Sequence, residues 1–203
     1  MFAPELFWRI CLLLHHLMKI SEDHPLRRLF HVLTERNLGG KLGFEDPDVI
    51  GYLSDLLVDF THIENVYRIR SASGWRVEEV AELLLEGDLL HRAASIDRER
   101  EVHKQIGDYT LFMTGLFPEA LQRSRVRSVV PSRDALIDYV RTGKRSYHIV
   151  AEFTFGGYGE RAPIYRKLSE QFELCVFGLG HVRSDLDRLR RPEFQRVINA
   201  FGE

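Results

Sequence analysis

Apolar residues recur every three or four positions through most of this 203-residue chain, while sustained alternation with a period of two is nearly absent. A spacing of three or four gathers side chains on one face of an α-helix, whereas on a pleated strand it would push about half of them into solvent. The chain is therefore expected to be all-α, a single compact bundle of about seven or eight helices, with residues 1–203 forming one domain.

Breaker and cap chemistry divides that pattern. Pro25 opens a helix over "LRRLFHVLTERN", and Gly39, Gly40 and Gly43 read as a loop behind it. Asp46 caps and Pro47 starts a helix whose stripe Val49, Leu53, Leu56, Phe60, Ile63 and Tyr67 predicts that it runs to about Arg70. "SASGW" is a turn, and "RVEEVAELLLEG" a shorter helix closed by Gly87. Ser95 caps "IDREREVHKQIGDYTLFMTGLF", charged in its first half and apolar in its second, and Pro118 ends or kinks it. Ser132 caps the next helix, "FGGYGERAP" is a connection, and Pro163 begins one long helix over "IYRKLSEQFELCVFGLGHVRSDLDRL". Pro192 sets off a short terminal helix around Phe194 to Phe201.

Charge narrows the partners. Lys and Arg number 28 against 30 Asp and Glu, so no net field draws the chain toward nucleic acid or a membrane surface, and any charged site must be local. With 44% hydrophobic and 29% charged residues, the composition is that of a soluble globular protein. Cys11 and Cys175 sit in apolar helical patterns without paired spacing, as small buried hydrophobes do in a reducing cytoplasm. The start, "MFAPELFWRICLLLHHLMKI", is interrupted by Glu5 and Arg9 and is not followed by a small-residue cleavage site, which argues against a signal peptide. No run approaches the ~18 apolar residues of a membrane span. Phe2, Phe7, Trp8 and Leu12 give this first helix more apolar surface than one stripe requires, so that it either packs against a second chain or is buried in its own core.

Three constellations carry possible chemistry. In "IGDYTLFMTGLFPEAL", Gly107, Asp108 and Gly115 interrupt an otherwise apolar helix. Glycine inside a helix costs about 1 kcal/mol relative to Ala, tolerable where another backbone must come close. Asp108 is then a tie across a tight crossing, to Arg145 or Tyr147 in "TGKRSYH", where Gly143 again permits approach. Alternatively, Asp108 is an acid at the floor of a ligand pocket lined by Tyr109, Phe112, Met113 and Tyr147. Asp55, Asp59 and His62 are spaced four and three apart, and Asp-x-x-His recurs at Asp88 and His91, the spacing by which helical bundles aim an acid and a histidine at one metal ion. Against this stand the missing bridging pair and the ease with which nine histidines produce such spacings. Arg123, Arg125, Arg127 and Arg133 form a local basic segment able to meet phosphate, but no recognition helix or interleaved aromatic accompanies it. His148 and Glu152 read as a surface pair, and "HVRSDLDRLRRPEFQR" as a solvated helix face. Neither a Gly-x-Ser-x-Gly nucleophile turn nor a phosphate-binding glycine loop is present, so no cofactor is expected and nothing positive supports an enzyme.

The stretches "DLLVDFTHIENVYRIR", "REREVHKQIGDYTLFMTGLFPEAL", "GKRSYHIVAEF" and "LSEQFELCVFGL" together resemble a group of uncharacterised helical bacterial proteins, over roughly residues 24–185. The resemblance implies a bacterial, all-helical domain and supplies no catalytic residue. The expected function is accordingly that of a soluble, cytoplasmic, non-enzymatic protein acting through a protein partner or as a homo-oligomer, with a small-molecule or metal-binding bundle and a nucleic-acid binder as alternatives.

Overall fold

A computed structural model of the chain describes residues 24–62, 65, 96–123 and 135–189. These form an all-α bundle, without a strand among the described residues. In chain order the helices are α1 (Pro25–Glu35), α2 (Pro47–Asp59), α3 (Ile96–Leu116), α4 (Pro118–Arg123), α5 (Ala135–Ala151), α6 (Ala162–Glu170) and α7 (Phe172–Leu189). A π-helical turn, Arg36–Lys41, continues α1, and a 3-10 turn, Gly156–Tyr158, precedes α6.

Helix α3 is the axis of the bundle. Its first turns are solvated, but from Val102 to Leu116 every residue except Lys104 is buried, because α5 packs along one side and α7 crosses another. A helix enclosed this way needs apolar residues all round, which is why the charged half of its sequence gives way to "FMTGLF". The stripe on α2 behaves as its spacing demands, with Val49, Leu53, Leu56 and Phe60 all buried. Phe60 meets Phe112 of α3 edge-on at 4.8 Å, a geometry favoured by the ring quadrupoles.

Backbone approach is set by glycines at the helix crossings. A Cβ on Gly107 would lie 2.6 Å from the Tyr147 ring of α5, and one on Gly115 would lie 2.6 Å from the Leu179 Cβ of α7. At Gly143 it would strike both Phe172 and Thr110 at 2.4 Å, and at Gly178 it would strike Leu38 at 2.5 Å. All are distances at which something must move, so these positions admit glycine alone without repacking.

Several expected boundaries shift, for local reasons. The helix beginning at Pro47 stops at Asp59 instead of running toward Arg70. Thr61 Oγ1 donates to the Val58 carbonyl at 2.6 Å and Asn65 Nδ2 to the Asp59 carbonyl at 2.9 Å, taking two acceptors a longer helix would use. Gly39 and Gly40 lie inside the π turn; only Gly43, at φ 67°, makes the left-handed bend of a loop. The expected long final helix is divided at Gln171 (φ −106°, ψ 23°), although no Pro or Gly stands there. The break lets α6 lie on α5, with Ser169 Oγ donating to the Lys144 carbonyl at 2.8 Å, while α7 turns away with Phe172 fully buried beneath Gly143. Asp185, expected on a solvated face, is buried. The first helix, the segment around Gly87 and the terminal helix beyond Pro192 lie outside the described residues.

Candidate functional site

Asp97, Arg100, Lys104 and Asp108 succeed one another at spacings of three, four and four, so they line one face of α3 from its solvated end into the core. Around that face stand tyrosines from different elements: Tyr52 of α2, Tyr147 of α5, Tyr165 of α6, and Tyr158 of the 3-10 turn. Tyr52 is edge-on to both Tyr147 (6.4 Å) and Tyr165 (5.6 Å), which fixes the three inner rings against one another.

At the inner end, Asp108 is fully engaged. Oδ1 accepts from the Tyr52 hydroxyl at 2.6 Å and the Tyr147 hydroxyl at 2.8 Å, and Oδ2 accepts from Lys104 Nζ at 2.5 Å. A buried carboxylate is tolerable only when paired and hydrogen-bonded, and Asp108 has an ammonium and two phenols around it. Burial, and then the Asp108 charge, push both phenols well above the usual tyrosine range, so they stay protonated as donors. Two donors aimed at one oxygen and a cation on the other make an anchor of α2, α3 and α5.

Of the residues read from the sequence as pocket candidates, Tyr147 does reach Asp108, but Arg145 is exposed and does not. Residues two apart on a helix point about 200° from each other, so Arg145 and Tyr147 could not both have faced α3. Phe112 packs with Phe60 and Phe117, and Tyr109 faces Tyr139 at 6.5 Å. Met113 is likewise core. Asp55, Asp59 and His62 are not gathered: α2 ends at Asp59, which takes His62 off the helical flank, and Asp55 pairs with Arg27 of α1. Among the described residues, no three or more His, Cys, Asp or Glu are placed to hold a metal ion. Asp88, His91, Arg125, Arg127 and Arg133 lie outside the described residues; Arg123 closes α4, and only its backbone is described. Glu152 accepts from Arg166 at 3.2 Å, so its partner is on α6 and is not His148. Cys175 is completely buried, and burial pushes its thiol up to about 12, which keeps it protonated and inert at neutral pH.

A second buried carboxylate had no sequence signal. Asp185 of α7 accepts from Asn37 Nδ2 at 2.8 Å and from Arg36, with Lys41 at 3.5 Å and Arg188 at 3.6 Å. Arg36, Asn37 and Lys41 all belong to the π turn, which wraps the carboxylate, and Lys41 also donates to Asn37 Oδ1 at 2.7 Å. Burial alone would raise this carboxyl, but the Asn37 and Arg36 hydrogen bonds and the neighbouring cations outweigh it and hold the carboxyl down to about 2.

No protein-family model, curated protein or solved structure matches this chain.

Proposed function

We propose that this chain is a helical binding protein that acts through a protein partner or a second copy of itself, without chemistry of its own. The observation that carries this reading is the outer face of α7. Its inward residues Cys175, Gly178, Leu179, Val182 and Leu186 already meet the core, yet Phe177 stands 58% exposed with its ring 4.8 Å from that of His181. The core does not require that phenylalanine, and aromatic side chains on a rigid helix are the usual anchors of protein interfaces. No described helix is long and apolar enough to cross a membrane. Buried, unpaired Cys175 supports a reducing compartment, and the resemblance to helical bacterial proteins supports a bacterial cytoplasm as its setting.

Native mass spectrometry and sedimentation of the full chain, beside Phe177→Asp, test the proposal. The expected result is an oligomer or a co-purified protein that is lost in the variant, while helical circular dichroism and the unfolding midpoint are kept. A concentration-independent monomer carrying a stoichiometric small adduct would overturn it in favour of a ligand-binding bundle.

A further inference from the structure

On α3, Arg98 pairs with Glu101 at 3.1 Å and Lys104 with Asp108 at 2.5 Å, whereas Arg100 between them is held differently. Its guanidinium carbon lies 4.3 Å over the Tyr158 ring and 5.4 Å from the centre of the Tyr165 ring. Its Nε is buried with no hydrogen-bond partner, and among the described residues neither a carboxylate nor a carbonyl accepts from its guanidinium.

Both aromatic contacts are fixed from outside. Tyr165 is fully enclosed and packed on Tyr52 and Tyr147. Tyr158 is set by a glycine-built loop: Gly156 takes φ 58°, and a Cβ on Gly159 would lie 2.7 Å from the Thr154 carbonyl oxygen. The Tyr158 hydroxyl donates to Asp97 Oδ1 at 2.5 Å, and that bond is the main reason its ionisation is pushed upward. It also occupies one oxygen of the carboxylate nearest to Arg100 along the helix face. A guanidinium set over the Tyr158 ring and beside the Tyr165 ring, with Nε closed off, has only its Nη edge left to donate, and the residue is partly exposed. Such a fork, held in place before any ligand arrives, suits a planar pair of oxygens.

We propose that Arg100 is the centre of an oxyanion-binding site, clamped by Tyr158 and Tyr165, that takes a carboxylate or phosphate group. This site is independent of the α7 face around Phe177, since it is built on α3, α6 and the 3-10 turn.

The test is a titration of the full chain with inorganic phosphate and, separately, acetate, each against sodium chloride at equal ionic strength, followed by the NMR signals of the arginine side chains. One of the two anions is expected to shift the Arg100 resonances saturably, and which one does so identifies the group recognised. Arg100→Lys keeps the charge but loses the fork, and should weaken that binding by about tenfold or more with circular dichroism unchanged. Tyr158→Leu, which removes the clamp and leaves Arg100, should weaken it in the same direction. Shifts that stay linear and match those of chloride would overturn the proposal, as would saturable binding retained at full strength in Arg100→Lys. Should Arg100→Lys fail to fold, the wild-type titration and Tyr158→Leu decide it.

Discussion

At Asp108 the consequences of substitution depend on which atoms lose a partner. Asp108→Asn keeps the shape and an acceptor oxygen for the two phenols, but removes the charge that Lys104 neutralises and turns an NH2 donor toward its ammonium. The expected cost is about 2–4 kcal/mol, moderated because Lys104, 27% exposed, can swing into water. Tyr147→Phe removes one of two donors to Oδ1 and should cost only about 1–2 kcal/mol. Urea unfolding of both variants checks the order; an Asn variant as stable as the parent would show that Asp108 is no anchor. Part of this cluster was legible. Glycines inside an apolar helix pointed to the close crossing, and Tyr147 was suggested by Gly143 nearby. Lys104 could have been found too, since it precedes Asp108 by one turn. Tyr52 could not, because its 56-residue separation from Asp108 is bridged only by the tertiary fold.

Helix starts were more legible than helix ends. Asp46 Oδ1 accepts from the backbone amides of Asp48 (3.1 Å) and Val49 (3.2 Å), a local cap that "EDPD" announces by itself. The division at Gln171 is imposed by Phe172 and Ser169 fitting against α5, and no residue at the break betrays it. The same contrast separates the glycines on helices. Gly51 of α2 has nothing within 4 Å of an added Cβ, so Gly51→Ala should stabilise the protein by about 0.5–1 kcal/mol through helix propensity and the unfolded chain's lost freedom. Gly178→Ala must displace Leu38, which is fully buried, and should cost about 1–3 kcal/mol. Thermal unfolding of the pair gives shifts of opposite sign; equal shifts would mean that Leu38 repacks freely.

For the molecule as a whole, a buried carboxylate responds to acid through the fold it holds together. Asp185 has its pKa lowered from 3.8 to about 2, so the folded state binds its proton less readily than the unfolded chain does. Its stabilisation is therefore complete above the unfolded value near 3.8 and is lost as pH falls toward about 2. A shift of that size corresponds to roughly 2 kcal/mol. Denaturant midpoints measured between those limits should fall with acid in the parent and fall less steeply in Asp185→Asn; an unchanged slope would remove Asp185 from the acid response. This dependence was not legible beforehand, because an alternating run of charges looks the same whether one member is buried or all are solvated. The helical class, by contrast, was readable from periodicity alone, since that property needs no knowledge of which helices meet.

The π turn at Arg36–Lys41 has a consequence for how the chain can vary in length. A π turn accommodates a residue more than an α turn, and α1 feeds it without interruption. Removing Gly40 would let the turn relax to α-helix and leave the chain beyond it close to its present phase relative to α1, since the deleted residue is the one the π turn holds in excess. Asn37 and Lys41, then three apart on an α-helix, would still share the face that meets Asp185. A single-residue deletion should therefore be absorbed here more readily than inside α1, where it would turn everything beyond by about 100°, and substitution at Gly40, where nothing lies within 4 Å of an added Cβ, meets open space.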